Sequence, residues 1–495
     1  MKCVNFSSLL TLDLSGNHFL SELPSWLFNL TSVSHIDLSF NFIHGPLPKS
    51  LLSLRNLKSL RLNNNELDGS IPEWIGQHEH LQYLGLVDNM FHGSIPSSIG
   101  NLSSLIELEI SSNSLSGNLP TSFGKLFNLR KVPNSNISSI NSDMFWRENS
   151  LDYLDISSNL LTGGVPDCWE YWKGLSFLFM ESNMLTGEVP PSMGSFVDLI
   201  ALDLHNNSLA GNFSLDLSNI TNLEFINIKD NNFSGTVPTK MPHSMEVMLL
   251  GSNQFEGNIP PKICNLSSLI QLDLYHNKLS GSIPPCIKYE DYGLLRTLDL
   301  SFNNLSGEIP PQVFNLVQLQ SLNLSRNHFT GEISRDIGSM KNLESLDLSS
   351  NKLHGEIPVS ISSLSFLSFL NLSYNDFTGQ IPVGTQLQSF NAANFAGNPG
   401  LCGAPLPFNC TKESVSVDVT NQHGGSNDDG FETESLYLGM GVGFAVGFWG
   451  LCGSIFLNRT WRHAYIRFLN HVADQLHVFV VVVINRFSGT RASSN

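Results

Sequence analysis

Positive charge is what this chain has least of. Its 495 residues include 26 Lys and Arg against 43 Asp and Glu, a net charge of −17, and that balance argues against a nucleic-acid partner. The shortage is uneven. Residues 458–495 hold five arginines and one acid, so the part before them carries 21 basic residues against 42 acidic ones. A nucleophile–base constellation is missing as well. Only 38 residues follow position 457, too few for the glycine-rich loop, lysine and aspartates of a kinase, so no enzyme is expected. The opening MKCVNFSSLLTLDLSGN has no charged-then-apolar leader.

Repetition is what the chain has most of. LSGEIPPQVFNLVQLQSLNLSRN (305–327) is followed by FTGEISRDIGSMKNLESLDLSSN and LHGEIPVSISSLSFLSFLNLSYN, one pattern with changed residues. The asparagine closing L-x-x-L-x-L-x-x-N falls at positions 17, 41, 65, 89, 113, 159, 183, 207, 231, 253, 277, 303, 327, 351 and 375, mostly 24 apart. The 46-residue step from Asn113 to Asn159 leaves room for a degenerate repeat around LRKVPNSNISSI, with Asn136 as its marker.

One unit reads directly as physics. Leu319, Leu322 and Leu324 alternate as a short strand facing a core, while Gln320, Ser321, Asn323 and Ser325 stay outside. A single strand cannot bury its leucines; stacked in parallel on its neighbours it can, with the marker asparagine satisfying backbone groups at the turn. The glycine four residues on (Gly307, Gly331, Gly355, Gly379) permits a backbone angle other residues avoid, and the Ile-Pro after it favours extended chain. The expected fold is an α/β repeat solenoid over residues 1–395, about 16 repeats of about 24 residues, its strands parallel on the concave side.

A different composition follows. Residues 396–411, with LCGAPLPFNC, read as a cap closed by Cys402 and Cys410; 412–434 are an acidic linker; 435–457 are 23 residues without a charge, the length of one transmembrane helix. Acids at 428, 429, 432 and 434 precede this run and Arg459, Arg462 and Arg467 follow it, so the repeats are expected outside and the tail, 458–495, in the cytoplasm. Sequons at Asn5, Asn29, Asn101, Asn136, Asn206, Asn212, Asn219, Asn232, Asn265, Asn304, Asn323, Asn371 and Asn409 then read as a glycosylated ectodomain. Cys264 and Cys286 fall on the turn side of adjacent repeats, where strands about 4.8 Å apart bring their Cα atoms within disulfide reach.

LDLSFNNLSGEIPPQVFNLVQLQSLNLSRN, the NPGLCGAPL cap and GFAVGFWGLCGSIFLNRTWRHAYIRFL together resemble the plant leucine-rich-repeat receptor-like proteins, cell-surface immune receptors that lack a kinase, and within them the receptors for ethylene-inducing xylanase. The resemblance implies a leucine-rich-repeat horseshoe or superhelix followed by one transmembrane helix. It also implies a single-pass plasma-membrane protein that binds an extracellular protein or peptide, microbial or not, and signals in plant defence through adaptor and co-receptor kinases. Such proteins usually begin with a secretion signal and a cysteine-containing cap, and carry a long island before the last four repeats. Here a repeat begins at once and only CIKYEDYGLL stands at the island, so an N-terminally truncated copy is expected. In the family the last repeats face the co-receptor, which assigns Phe302, Arg326 and Tyr374 to that contact.

Ligand candidates are the variable outward positions Asp155, Glu181, Asp203, His205, Glu224, Asp230, Asp273, Tyr275 and Asp299. The bland reading of the aspartates is repeat consensus that solvates the strands; Tyr275, His205, Phe302 and Tyr374 are less consensus-like, and aromatics dominate interface energies. Gly439, Gly443 and Gly447 share one helix face for close packing on a partner helix, against the plain reading of glycine tolerated in a membrane helix. Tyr465 and Phe468 of YIRF fit an endocytic sorting signal, or with Trp461 the apolar face of a surface helix. The sequence also imitates three other chemistries: a kinase fragment in SRD (334–336), a dinucleotide fingerprint in GMGVGFAVG (439–447) and a metal site in HEH (78–80). The first sits in a repeat, the second lacks a strand and partner acid, and the third reads as solvated surface. Neither a cofactor nor a metal is expected. A soluble-type solenoid inhibitor of a secreted wall-degrading enzyme and a decayed receptor copy are the alternatives to a receptor.

Overall fold

The computed structural model divides by contact into Met1–Lys412 and Glu413–Asn495, and it describes residues 8–126, 152–170, 172–285, 294–384 and 386–410. The expected spanning segment 435–457 and the linker before it lie outside the described residues, as do Gly439, Gly443, Gly447, Tyr465, Phe468, Asn5, Asn136 and Cys286. Among the described residues no helix is long and apolar enough to cross a membrane.

Fifteen three-residue strands, from Thr11–Asp13 to Phe369–Asn371, form one parallel sheet in sequence order. The register is the repeat itself: Leu12 stands opposite Ile36, Leu298 opposite Leu322, Leu346 opposite Leu370. From the second strand on, each central side chain is buried in one continuous core, against which Leu12 of the first strand packs partly buried, while the flanking residues face outward. Between strands the chain turns on the marker asparagine. Asn277 is typical: its Nδ2 donates to the carbonyls of Leu250 and Leu274 at 3.1 Å, and its Oδ1 accepts from the Phe255 amide at 2.9 Å. Three buried backbone groups per turn are satisfied by one side chain.

The residues after the asparagine form a second, ten-stranded parallel sheet. The pattern N-x-L-x-G-x-I-P carries its signal, a buried leucine or phenylalanine alternating with outward residues. Gly307, at φ 81°, lets the chain leave that strand in a conformation other residues avoid. Pro310 (φ −57°, ψ 130°) then opens the five-residue 3-10 turn Pro311–Asn315.

Two expectations are corrected here. An α/β repeat implies helices, but the elements of the described residues are strands and 3-10 turns; five residues between a proline and the next core leucine are too few to propagate an α-helix. The degenerate repeat expected around Asn136 lies outside the described residues; on either side of it Glu107–Glu109 and Tyr153–Asp155 pair with each other, and Asn159 donates to the Ile110 carbonyl at 3.0 Å. Second, His78 of HEH is not solvated surface. It is buried at the turn position that leucine fills in other repeats (Leu54, Leu102), beside Trp74, and burial lowers its pKa. Glu79 and His80 are exposed, and among the described residues no group of side chains is arranged to hold a metal. Ser334 of SRD caps a 3-10 turn, its hydroxyl accepting from the Asp336 amide.

Candidate ligand-binding surface

The outward face of the fifteen-stranded sheet is made of in-register files of side chains, one from each repeat. Four candidates, Asp155, Asp203, Asp273 and Asp299, share the position just after the buried strand leucine. Each spends one carboxylate oxygen on the amide two residues on, at 2.9–3.0 Å (Ser157, His205, Tyr275 and Ser301). Each spends the other on another repeat: Ser111 for Asp155, Asn227 for Asp203 and Asn323 for Asp299 on the adjacent strand, and Lys229, two strands away, for Asp273. These carboxylates hold the ladder together. Asp203 and Asp273 are buried as well.

The remaining candidates are less committed. His205 rests on Asp203 at 2.6 Å, and that hydrogen bond raises its pKa. Glu181 is mostly buried, its Oε2 has no hydrogen-bond partner, and burial together with Asp203 and Asp155 pushes its carboxyl up to about 7. Burial likewise raises Glu224, while Asp230 is exposed in the left-handed position before its marker asparagine.

Tyr275 belongs to a file of alternating aromatic and charged groups. Lys229 Nζ sits 5.9 Å from its ring centre, His276 packs between Tyr275 (5.5 Å) and Phe302 (4.6 Å), and the Arg326 guanidinium lies 5.3 Å from Phe302. Phe302 and Arg326, expected at the co-receptor contact, are therefore continuous with Tyr275. Tyr374, the third, stands apart at the last strand and is exposed.

Sequence reasoning passed over the densest cluster on this face. Tyr153, Phe177 and Phe179 project from two adjacent strands with ring centres 5.6–6.3 Å apart. Glu107 stands opposite Tyr153 in the register and Glu109 opposite Asp155. Tyr83 occupies the next strand, donating its hydroxyl to Glu109. Burial raises Glu107 and Glu109, and the Tyr83 and Tyr153 hydroxyls are pushed up first by burial and then by surrounding carboxylates. The signal was present in LIELEI, LDYLDI and LSFLFM, three successive described strands in which large residues flank the strand leucine at positions that many repeats give to Ser, Thr, Asp or Asn.

Cys402 and Cys410 are bonded, their Cα atoms 5.1 Å apart. Cys264 is disulfide-bonded too, while its expected partner Cys286 lies outside the described residues; Cys168 is a free thiol. Asn323 and Asn371 are half-buried on sheet strands, with amides committed to Asp299 and Asp347. The other described sequon asparagines are exposed.

Leucine-rich-repeat family descriptions match residues 293–353, and 8–30, 56–78, 80–102, 104–126, 150–172 and 268–289. Two tomato (Solanum lycopersicum) proteins are similar: receptor-like protein EIX2, 39% identical over 108 residues, and receptor-like protein EIX1, 35% identical over 97. Those stretches cover 21% and 19% of this chain, and 10% and 9% of the relatives' own length. The crystal structure of the Arabidopsis receptor kinase HAESA, in complex with the peptide hormone IDA and the co-receptor SERK1, superposes with a TM-score of 0.70 at 34% identity, covering 80% of this chain and 62% of that one.

Proposed function

From a chain of leucine-rich repeats, homologous to tomato receptor-like proteins and similar in structure to plant receptor ectodomains, we propose a cell-surface receptor-like protein. It binds an extracellular protein or peptide on the face of its fifteen-stranded sheet and signals in defence through receptor kinases of the same membrane. The observation that carries this reading is the sheet face. Fifteen in-register strands present a continuous panel on which Tyr153, Phe177, Phe179, Glu181, Tyr275 and Phe302 stand out from a consensus otherwise spent on holding the ladder. The HAESA complex, in which a comparable ectodomain holds a peptide hormone and a co-receptor, supports a peptide ligand.

The remaining parts rest on the sequence. Residues 435–457, charge-free between acids and arginines, supply a single span with the repeats outside. Gly439, Gly443 and Gly447 let a partner helix approach closely. The test is to express the tagged full chain in plant cells, label surface proteins, and immunoprecipitate. Surface labelling with a co-purifying receptor kinase is expected, with about ten-fold less kinase after Gly439, Gly443 and Gly447 are changed to Leu, the equivalent of about 1.4 kcal/mol. A chain that is neither surface-labelled nor associated with a kinase sinks the receptor reading. Unchanged kinase recovery from the leucine variant removes the glycine face alone.

A further inference from the structure

We infer that the sheet face around Tyr153, Phe177 and Phe179 is a docking site for a cationic peptide segment, Lys or Arg side chains lying on the rings and pairing with Glu107, Glu109 and Glu181. The inference rests on the receptor reading and deepens it by naming the ligand's chemistry.

Charge complementarity selects the occupant. At the edges of the patch the chain's own cations are already used: the Arg61 guanidinium lies 4.3 Å from the Tyr83 ring centre, and His205 is held by Asp203. Between those edges the described residues place carboxylates and rings together with no Lys or Arg over Tyr153, Phe177 or Phe179. The same face shows what such rings accept, because Arg61 on Tyr83, Lys229 on Tyr275 and Arg326 on Phe302 each pair a cation with an aromatic. A cation over a ring flanked by carboxylates gains from both. An anionic peptide would meet Glu107, Glu109 and Glu181, and the cations nearest them, Arg61 and His205, are already engaged with Tyr83 and Asp203.

The arrangement has room for a strand of peptide. Tyr83, Glu107, Tyr153, Phe177 and Ala201 occupy one in-register file across five strands, and at about 4.8 Å per step they span roughly 19 Å, the length of about six extended residues. The Glu181 oxygen that is buried without a partner is an acceptor the fold itself leaves unfilled, and a buried unmet acceptor is costly until a donor arrives. Ordinary repeat chemistry does not require any of this: at the Phe179 position most strands carry Asp or Asn, whose oxygen accepts from the amide two residues on, as those of Asp203 and Asn323 do.

The experiment uses the purified full chain in mild detergent and two dye-labelled hexapeptides, Arg-Ser-Arg-Ser-Arg-Ser and Glu-Ser-Glu-Ser-Glu-Ser, read by fluorescence anisotropy at low ionic strength. The arginine peptide is expected to bind, the glutamate peptide not to. Phe177→Ala with Phe179→Ala, and separately Glu107→Gln with Glu181→Gln, are each expected to weaken binding about ten-fold or more, the worth of about 1.4 kcal/mol. The second pair is isosteric and keeps the test open should the first disturb folding. The exposed Phe366→Ala, away from the sheet strands, and the exposed turn-side Glu73→Gln are expected to leave affinity unchanged. Equal losses from every acid-to-amide change would show general attraction to an acidic chain and overturn the proposal. So would an equal loss from the Phe366 variant. Failure of the arginine peptide while a kinase still co-purifies rejects the ligand class and leaves the receptor reading standing; binding here without any kinase does the reverse.

Discussion

Glu181 shows how a single outward side chain can set a pH response. Its carboxyl is pushed from an ordinary 4.5 up to about 7, by burial first and then by Asp203 and Asp155. Between those two values the folded chain keeps a proton that the unfolded chain has lost, so stability falls as pH rises through the window, on the order of 3 kcal/mol in all. His205, raised above 6.5 by its bond to Asp203, adds stability that is complete below 6.5 and lost as pH rises through its folded value. The two slopes share a sign. Thermal unfolding of the full chain at pH 5, 6, 7 and 8 is expected to give a midpoint that declines with pH. Glu181→Gln should flatten most of that decline, and a midpoint rising over the same range would contradict the account. The four ladder aspartates carry a different lesson. An outward acid in a repeat can be fully spent on neighbours, and nothing in its own local sequence distinguishes it from Glu181.

At the scale of the element, the 3-10 turns opposite the sheet decide how tightly repeats stack. A Cβ on Gly100 would lie 2.3 Å from the Ser122 carbonyl oxygen of the next turn, and one on Gly76 would lie 2.2 Å from that of Ser98. Neither glycine is there for an unusual backbone angle; each is there because a neighbouring backbone occupies the space. Gly100→Ala is therefore expected to force the turns Ser97–Asn101 and Thr121–Lys125 apart, costing about 1–3 kcal/mol as overpacking does. Gly194 is the matched control, since its nearest backbone atom is the Asp216 oxygen at 3.7 Å, and Gly194→Ala should be tolerated. Hydrogen exchange reads the difference: faster exchange confined to the two turns for Gly100→Ala, with the sheet strands unchanged. His78 belongs to this scale too. A repeat position dictates burial whatever residue fills it, so the histidine entered the core.

In the molecule as a whole, strand pairing joins each repeat only to the repeats beside it, with a few side chains such as Lys229 on Asp273 reaching one repeat further, and a solenoid of this kind opens in segments. The C-terminal end is closed by an imitation of a repeat. Asn398 takes the marker role, accepting from the Phe377 amide and donating to the Leu372 carbonyl, and the strand Gly400–Cys402 pairs with Asp376–Gln380. The Cys402–Cys410 bond ties that strand down over a separation of 8 residues, a loop worth about 2–3 kcal/mol in the chain-entropy account. Changing both cysteines to Ser is expected to expose Asp376–Gln380 and Gly400–Cys402 to exchange and proteolysis, leaving the strands before Ser345–Asp347 as protected as in the parent. Protection lost along the whole sheet would show a cooperativity that nearest-neighbour contacts do not predict.

By itself the sequence determined the period, the buried strand leucines, the asparagine turns, the left-handed glycine after each turn and the cysteine-closed end. All of these follow from chemistry repeated within one unit, so a single repeat suffices to read them. Tertiary structure alone decided that Glu107–Glu109 lies beside Tyr153–Asp155, that Asp155 is spent on Ser111 and Asp273 on Lys229, and that Tyr153 meets Phe177 and Phe179 to form one patch. The physical reason is sequence distance. Those two hydrogen bonds each join residues 44 apart, and which side chains become neighbours depends on which strand lies next to which, a matter settled only when the repeats stack.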